Sequence, residues 1–319
     1  IVTDEPEKYQ SDIPLAPGVT VHHRDEFETI QKQLREVPGC TILIYDQTCA
    51  SEKRRRRKKI INGKPGFPDP ARRVVINEAV CEGCGDCSVK SSCLSVEPVE
   101  TEYGRKRKIN QSSCNKDFSC LKGFCPSFVT VEGGKLRKPR ASTEAAIPPL
   151  PSPSFVSLDQ SGNQTYGILI TGVGGTGVVT IGQLIGMAAH IEGRGLSVLD
   201  QAGLAQKGGA VMSHVILART PEELFATRIA MGEADLVLGC DSITTASNEA
   251  LSKMRSGVTR AVVNSSESPT AEFINNPNWT FPGVSNQADI VDALGGEDIA
   301  QTHAVFIDAG SLAVQLMGD

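Results

Sequence analysis

No stretch of this 319-residue chain approaches the roughly 18 consecutive apolar residues that a membrane-spanning helix requires, so a helical membrane protein is not expected. The acidic opening Ile1-Val2-Thr3-Asp4-Glu5 lacks the basic and then apolar pattern of a secretory signal. Five histidines are scattered without the spacing of a ligand pair. Aromatic residues make up only 5% of the chain, and none interrupts the basic run Lys53-Arg-Arg-Arg-Arg-Lys-Lys59. Without rings to stack on bases, a nucleic-acid partner is not expected. Hydrophobic content of 39% and charged content of 22% describe a soluble globular chain of two or three domains.

Cysteine is not scarce. Seven of the ten fall between positions 81 and 125, as Cys81-x2-Cys84-x2-Cys87-x5-Cys93 and then Cys114-x5-Cys120-x4-Cys125-Pro126. In a chain this long, clustered cysteines favour metal in a reducing cytoplasm over a disulfide framework. A triplet at two-residue spacing wraps three corners of an iron–sulfur cube, and a remote Cys-Pro commonly closes the fourth. Cys81, Cys84, Cys87 and Cys125 are therefore expected to hold one 4Fe–4S cluster. Cys93, Cys114 and Cys120 are left for a second. Seven thiols are one short of eight, so the second cluster is a three-iron form, recruits Asp117, or is absent. Zinc is the competing reading, although zinc knuckles normally present cysteines in pairs. Cys40, Cys49 and Cys240 are isolated and read as small buried hydrophobes.

The net charge of −5 is unevenly divided, +6 over residues 1–140 and −11 over residues 141–319. A basic surface around the cysteines would steer in an acidic partner such as a small ferredoxin. The seven-residue basic run itself reads as a solvated loop.

Along the chain, Gly18–His22 reads as a strand. A helix opens at Asp25 with Phe27, Ile30 and Leu34 on one face, and Gly39 ends it. Cys40–Tyr45 has the apolar, β-branched character of a buried parallel strand. Val74–Asn77 leads into the first cysteine, and Leu94–Thr101 with Lys106–Ile109 form a hairpin around Tyr103-Gly104. A second hairpin is expected from Phe128–Val131 and Lys135-Leu136. Residues 141–165, with Pro148, Pro149, Pro151 and Pro153, read as a linker. Beyond it the pattern alternates, with strands expected at 167–171, 196–199, 210–218, 234–239, 259–264 and 303–308. Helices are expected at 176–191, 221–230, 243–255, 287–294 and 310–317. This is a doubly wound α/β domain. Its first turn, Gly172-Val-Gly174-Gly175-Thr176-Gly177, follows a strand and opens a helix, where backbone N–H groups can meet a phosphate. With Asp200 beyond it, the spacing fits a dinucleotide fingerprint, and an iron–sulfur NAD(P)H-linked reductase is one alternative function. Lys207-Gly208-Gly209 suits a loop that approaches an anion. A non-catalytic metal-binding module with a basic docking loop is another alternative.

Tyr45-Asp-Gln-Thr-Cys49 with the basic run, Cys81-Glu-Gly-Cys84-Gly-Asp-Cys87, Ser112-Ser-Cys114 through Cys120 to Cys125-Pro126, and the Gly172–Gly177 turn with Lys207-Gly-Gly209 together resemble the large single-chain indolepyruvate ferredoxin oxidoreductases. These sit within the 2-oxoacid:ferredoxin oxidoreductases, and the resemblance runs along essentially the whole sequence. It implies that residues 1–62 are the end of a thiamine-diphosphate α/β domain and that residues 63–140 form a ferredoxin-like 4Fe–4S domain. Residues 166–319 would form a gamma-type α/β domain, in which Gly172, Gly174, Gly175, Gly177 and Lys207 are not an NAD site. The implied reaction is oxidative decarboxylation of an arylpyruvate to an acyl-CoA, using thiamine diphosphate and magnesium, with ferredoxin as electron acceptor. The resemblance also implies that the sequence is a C-terminal fragment of a cytoplasmic homo-oligomer. The thiamine-site residues would lie upstream, and the fragment would be inactive alone.

Overall fold

The computed structural model describes residues 1–9, 14–134, 165–203, 208–267 and 269–317. These form two compact units, one of residues 1–70 with 115–117, the other of residues 71–114 with 118 onward. The predicted linker before Thr165, the expected pairing of Lys135-Leu136, and Lys207 all lie outside the described residues.

In the first unit, β1 (Val2–Thr3) is flanked by parallel β2 (His22–His23) and β3 (Tyr45–Asp46). Helix α1 (Phe27–Arg35) follows a turn capped by His23, whose ring accepts the Asp25 N–H while Glu26 accepts the His23 N–H. Ile30 is its buried contact. The Cys40–Tyr45 run is not the buried strand expected. Only Tyr45–Asp46 pairs, as edge strand β3; residues 40–44 before it join no strand, and Ile42 is 80% and Ile44 54% exposed.

The basic run also differs from expectation: it is helix α2 (Ala50–Lys58). Arginine is a good helix former, and the charges have local partners. Glu52 pairs with Arg55 and Arg56 one turn on, and Arg57 donates to the carbonyls of Pro68 and Asn115. Lys53 reaches Asp4 at 3.1 Å and sits over the Phe67 ring. A short hairpin, β4 (Ile60–Ile61) and β5 (Lys64–Pro65), follows.

The second unit begins with the cysteine segment: β6 (Arg72–Ile76), α3 (Asp86–Ser91), the hairpin β7 (Val96–Thr101) and β8 (Gly104–Ile109), and β9 (Phe128–Glu132). The hairpin forms as expected, whereas β9 pairs antiparallel with β6.

The rest of the unit is a six-stranded sheet. In chain order its elements are β10 (Thr165–Val173), α4 (Val178–Ile191), β11 (Gly195–Ala202), β12 (Ala210–Ala218), β13 (Leu236–Gly239), α5 (Ser242–Thr245) and α6 (Asn248–Leu251). There follow β14 (Arg260–Asn264), α7 (Glu272–Asn275), α8 (Gly283–Leu294), α9 (Glu297–His303), β15 (Ala304–Ile307) and α10 (Ala309–Met317). Strand order is β11-β12-β10-β13-β14-β15, with β12 antiparallel to both neighbours and the last four strands parallel. Alternation along β10 sends Ile168 and Ile170 to the α4 face, with Val178 and Val215. Leu169 goes to the opposite face, with Val237, Val263, Ile290 and Leu294. Apolar cores on both faces make this an α/β domain.

Two expected helices are altered. Residues 221–230 form only a single turn at Pro221–Glu223. The Ile229 N–H serves the buried His214 ring instead, donating to Nδ1 at 3.2 Å, while Nε2 meets Gln201 Oε1 at 3.1 Å. The helix expected over 243–255 is broken at Ser247, whose hydroxyl accepts the Ala250 N–H and starts α6. Leu169 is fully buried on the central strand. Leu169→Ala is expected to cost about 2–5 kcal/mol, read as an earlier urea unfolding midpoint with an unchanged slope.

Candidate functional site

The cysteine site is built on the β6–β9 ladder. Ile76 pairs with Phe128, and the Asn77 N–H donates to Ser127 O at 2.7 Å, which brings Cys125 back beside the start of the triplet loop. The Asn77 carbonyl then accepts the N–H groups of Val80 and Cys81, turning the chain so that Cys81 is buried. The loop continues through left-handed Gly83 and Gly85, with φ of 73° and 84°, into α3, which carries Cys87. The Gly83 N–H points at Cys81 Sγ, 3.4 Å away, and Lys106 Nζ donates to the Cys81 carbonyl at 2.6 Å.

The result is a cavity of about 700 Å³ lined by Cys81, Cys84, Cys87, Cys120 and Cys125. Cys84 is exposed and the other four are partly or fully buried. Burial pushes the Cys87 thiol up. Cys120, grouped by spacing with Cys93 and Cys114, instead lines the cavity of the other four. Cys93 packs against the apolar cluster of Ile76, Cys81 and Val96, and the Cys114 N–H donates to Asn110 O; neither lines the cavity. Asp117 belongs to the first unit.

Among the described residues, no three His, Cys, Asp or Glu side chains converge closely enough to hold one metal ion. Zinc requires ligands at about 2.0–2.3 Å from a single centre. Five thiols share the lining of one cavity. Arg107 also lines this cavity. It is 1% exposed, yet Nε, Nη1 and Nη2 have no hydrogen-bond partner. A buried guanidinium without an anion is costly, so an anionic group in the cavity would complete the site. A thiolate-ligated iron–sulfur cluster meets that condition, and the donor set fits it. Sequence reasoning did not pick out Arg107. The period-two pattern of β8 carried the signal, since Arg107 shares a face with Ile109, which is partly buried against the Ile76–Cys81–Val96 cluster.

The glycine turn closes differently. Gly175 and Gly177 are left-handed, with φ of 106° and 92°, and Gly177 caps α4. The Gly174 N–H donates to Gly209 O at 2.7 Å, and its carbonyl accepts the Gly208 N–H at 3.3 Å. Gly172 is needed for packing, because a Cβ there would crowd Thr176, Val178 and Cys240. Asp200 lies on β11, which β12 separates from β10. A dinucleotide fold places the acidic strand directly beside the glycine strand. Beyond the turn, a pocket of about 310 Å³ opens at the carboxyl ends of β13–β15, lined by Thr176, Cys240 and Asn264 among others. Cys240 is partly buried, which pushes its thiol up. Cys40 and Cys49 are exposed, contrary to expectation. At Cys49 the backbone N–H groups of Glu52 and Ser51, at the start of α2, lower the thiol's pKa.

Residues 167–318 match the family described as pyruvate ferredoxin/flavodoxin oxidoreductase. Indolepyruvate oxidoreductase subunit IorB of Thermococcus kodakarensis is 35% identical over 78 residues, 24% of this chain and 37% of that protein. The subunit of the same name from Methanothermobacter thermautotrophicus is 31% identical over 141 residues, 42% of this chain and 68% of that protein. The chain thus spans little more than a third of the Thermococcus relative's length. Among solved structures, the pyruvate oxidoreductase subunit PORC of Thermotoga maritima is similar at 16% identity and a TM-score of 0.31, over 48% of this chain and 67% of that one. The 2-oxoglutarate:ferredoxin oxidoreductase of Magnetococcus marinus is similar at 18% identity and a TM-score of 0.32, over 47% of this chain and 21% of that one. On the match to the Methanothermobacter subunit together with the domain over residues 167–318, the chain belongs to the 2-oxoacid:ferredoxin oxidoreductase family.

Proposed function

We propose that this chain is the electron-relay and gamma-type part of an enzyme that oxidatively decarboxylates an arylpyruvate-like 2-oxoacid to an acyl-CoA and passes the electrons to ferredoxin. The observation that carries this reading is the ring of Cys81, Cys84, Cys87, Cys120 and Cys125 around one cavity with an unpaired buried arginine. When bound, a 4Fe–4S cluster would supply one-electron storage there. Four of the five thiols would hold it, with Cys81, Cys84, Cys87 and Cys125 as the preferred set. The exposed Cys84 and fully exposed Phe124 lie at the cavity's outer side, where an acceptor can approach. The indolepyruvate-type substrate is favoured by the names of the IorB relatives.

Thiamine diphosphate and magnesium would serve the decarboxylation in the complete enzyme, and no residue of this chain is assigned to them. Coenzyme A and ferredoxin complete the balance: a 2-oxoacid and a thiol give a thioester, carbon dioxide, a proton and two electrons. A cytoplasmic, homo-oligomeric enzyme is part of the proposal.

The test is iron and acid-labile sulfide quantitation on anaerobically purified protein, followed by dithionite titration. Iron and sulfide in near-equal amounts, with visible absorbance that bleaches on reduction, are expected. A colourless protein that binds zinc would overturn the redox reading and favour the metal-binding module. Saturable NADH binding that Asp200→Ala abolishes would favour the nucleotide-linked reductase.

A further inference from the structure

Resting on the iron–sulfur reading above, we propose that Arg107 sets the reduction potential of the cluster in the cysteine cavity through its buried positive charge. Arg107 sits on β8, and its guanidinium lies against Gly85, between Cys84 and Cys87. A Cβ at Gly85 would stand 3.2 Å from Nη2. Among the described residues, no carboxylate pairs with it and none of its nitrogens has a partner. Its neighbours on the strand are engaged elsewhere. Arg105 is held by Glu100 and by the carbonyls of Pro277 and Trp279, and Lys106 by the Cys81 carbonyl.

A protein does not normally bury five donors and a full charge without an anion to receive them. A cluster caged by thiolates is anionic and becomes more so on taking an electron. Net charge and hydrogen bonds to the sulfurs are the levers that set cluster potentials. A fixed cation beside it stabilises the reduced form more than the oxidised form, so Arg107 raises the potential.

The test uses the intact protein and two variants, Arg107→Met and Arg107→Lys, each reconstituted with ferrous iron and sulfide and titrated anaerobically with EPR detection. Arg107→Met is expected to retain iron but be about tenfold harder to reduce, which for one electron is a shift of about −59 mV. Arg107→Lys, which keeps the charge, is expected to stay close to the unaltered protein. A Met variant that binds iron at an unchanged potential would overturn the proposal. So would loss of iron in both variants, which would make the arginine's shape and not its charge the requirement. Loss in the Met variant alone would overturn it too, since the charge would then be needed to bind the cluster and not to set its potential. Apoprotein melting is an independent readout. Removing an unpaired buried charge is expected to raise the unfolding temperature of Arg107→Met apoprotein, and a fall would count against the proposal. If the unaltered protein takes up no iron, the iron–sulfur reading itself fails, an outcome distinct from all of these.

Discussion

Cys125→Ala in the intact protein is expected to remove most of the bound iron, with loss of the visible absorbance and of ferredoxin reduction. The expectation rests on topology. Cys125 is remote from the triplet in sequence, but the Asn77 N–H to Ser127 O bond and the Ile76–Phe128 pairing return it to the cavity wall. A 4Fe–4S cube has four corners and the cavity offers five thiols, so one is surplus. Cys120→Ala is therefore expected to keep at least half of the iron and most of the activity. Both variants should keep their far-ultraviolet circular dichroism, because neither residue is in the main sheet. If Cys120→Ala loses iron and Cys125→Ala retains it, Cys120 is the fourth corner. If both retain it, the cavity is not the cluster site.

Gly83→Ala should have a comparable effect through the backbone. Gly83 stands between the first two cysteines with φ of 73°, and a Cβ there would fall on the Arg105 carbonyl oxygen, far inside van der Waals contact. A side chain in this conformation costs roughly 1 kcal/mol or more. Crowding a backbone group that cannot swing away adds about 1–3 kcal/mol. The triplet loop has to move off the β8 strand, carrying Cys81 and Cys84 with it. Iron uptake is expected to fall on the order of 10-fold or more, as it does when the support of a metal ligand is disturbed. Gly104→Ala is the control. It has φ of 87° but open space around the position, and should lose a little stability and no iron. Equal iron in Gly83→Ala and the unaltered protein would show that the loop geometry is not needed.

Periodicity and spacing disclosed a good deal. All six strands of the main sheet fall where alternation and β-branched runs placed them, as do α4, α8 and α10. Departures arise where a side chain, distant or local, takes a backbone N–H. His214 takes the Ile229 N–H and no helix forms over residues 221–230. Ser247 caps a new helix and splits the expected one. The basic run shows the reverse error, since like charges read as a loop are a helix once Glu52, Asp4, Phe67 and the carbonyls of Pro68 and Asn115 receive them. The glycine turn was legible as a turn, but not that β12 would stand between it and Asp200.

Local order was enough to place the strands of the α/β domain and to mark the clustered thiols as candidate ligands. Hydrophobic period is a property of neighbouring residues, and thiol spacing sets what a loop can wrap. Which thiols share a cavity, and that Arg107 faces them without a partner, was decided only by the tertiary structure. Both depend on ladder pairing between strands far apart in the chain, and pairing register is chosen by the whole buried face together.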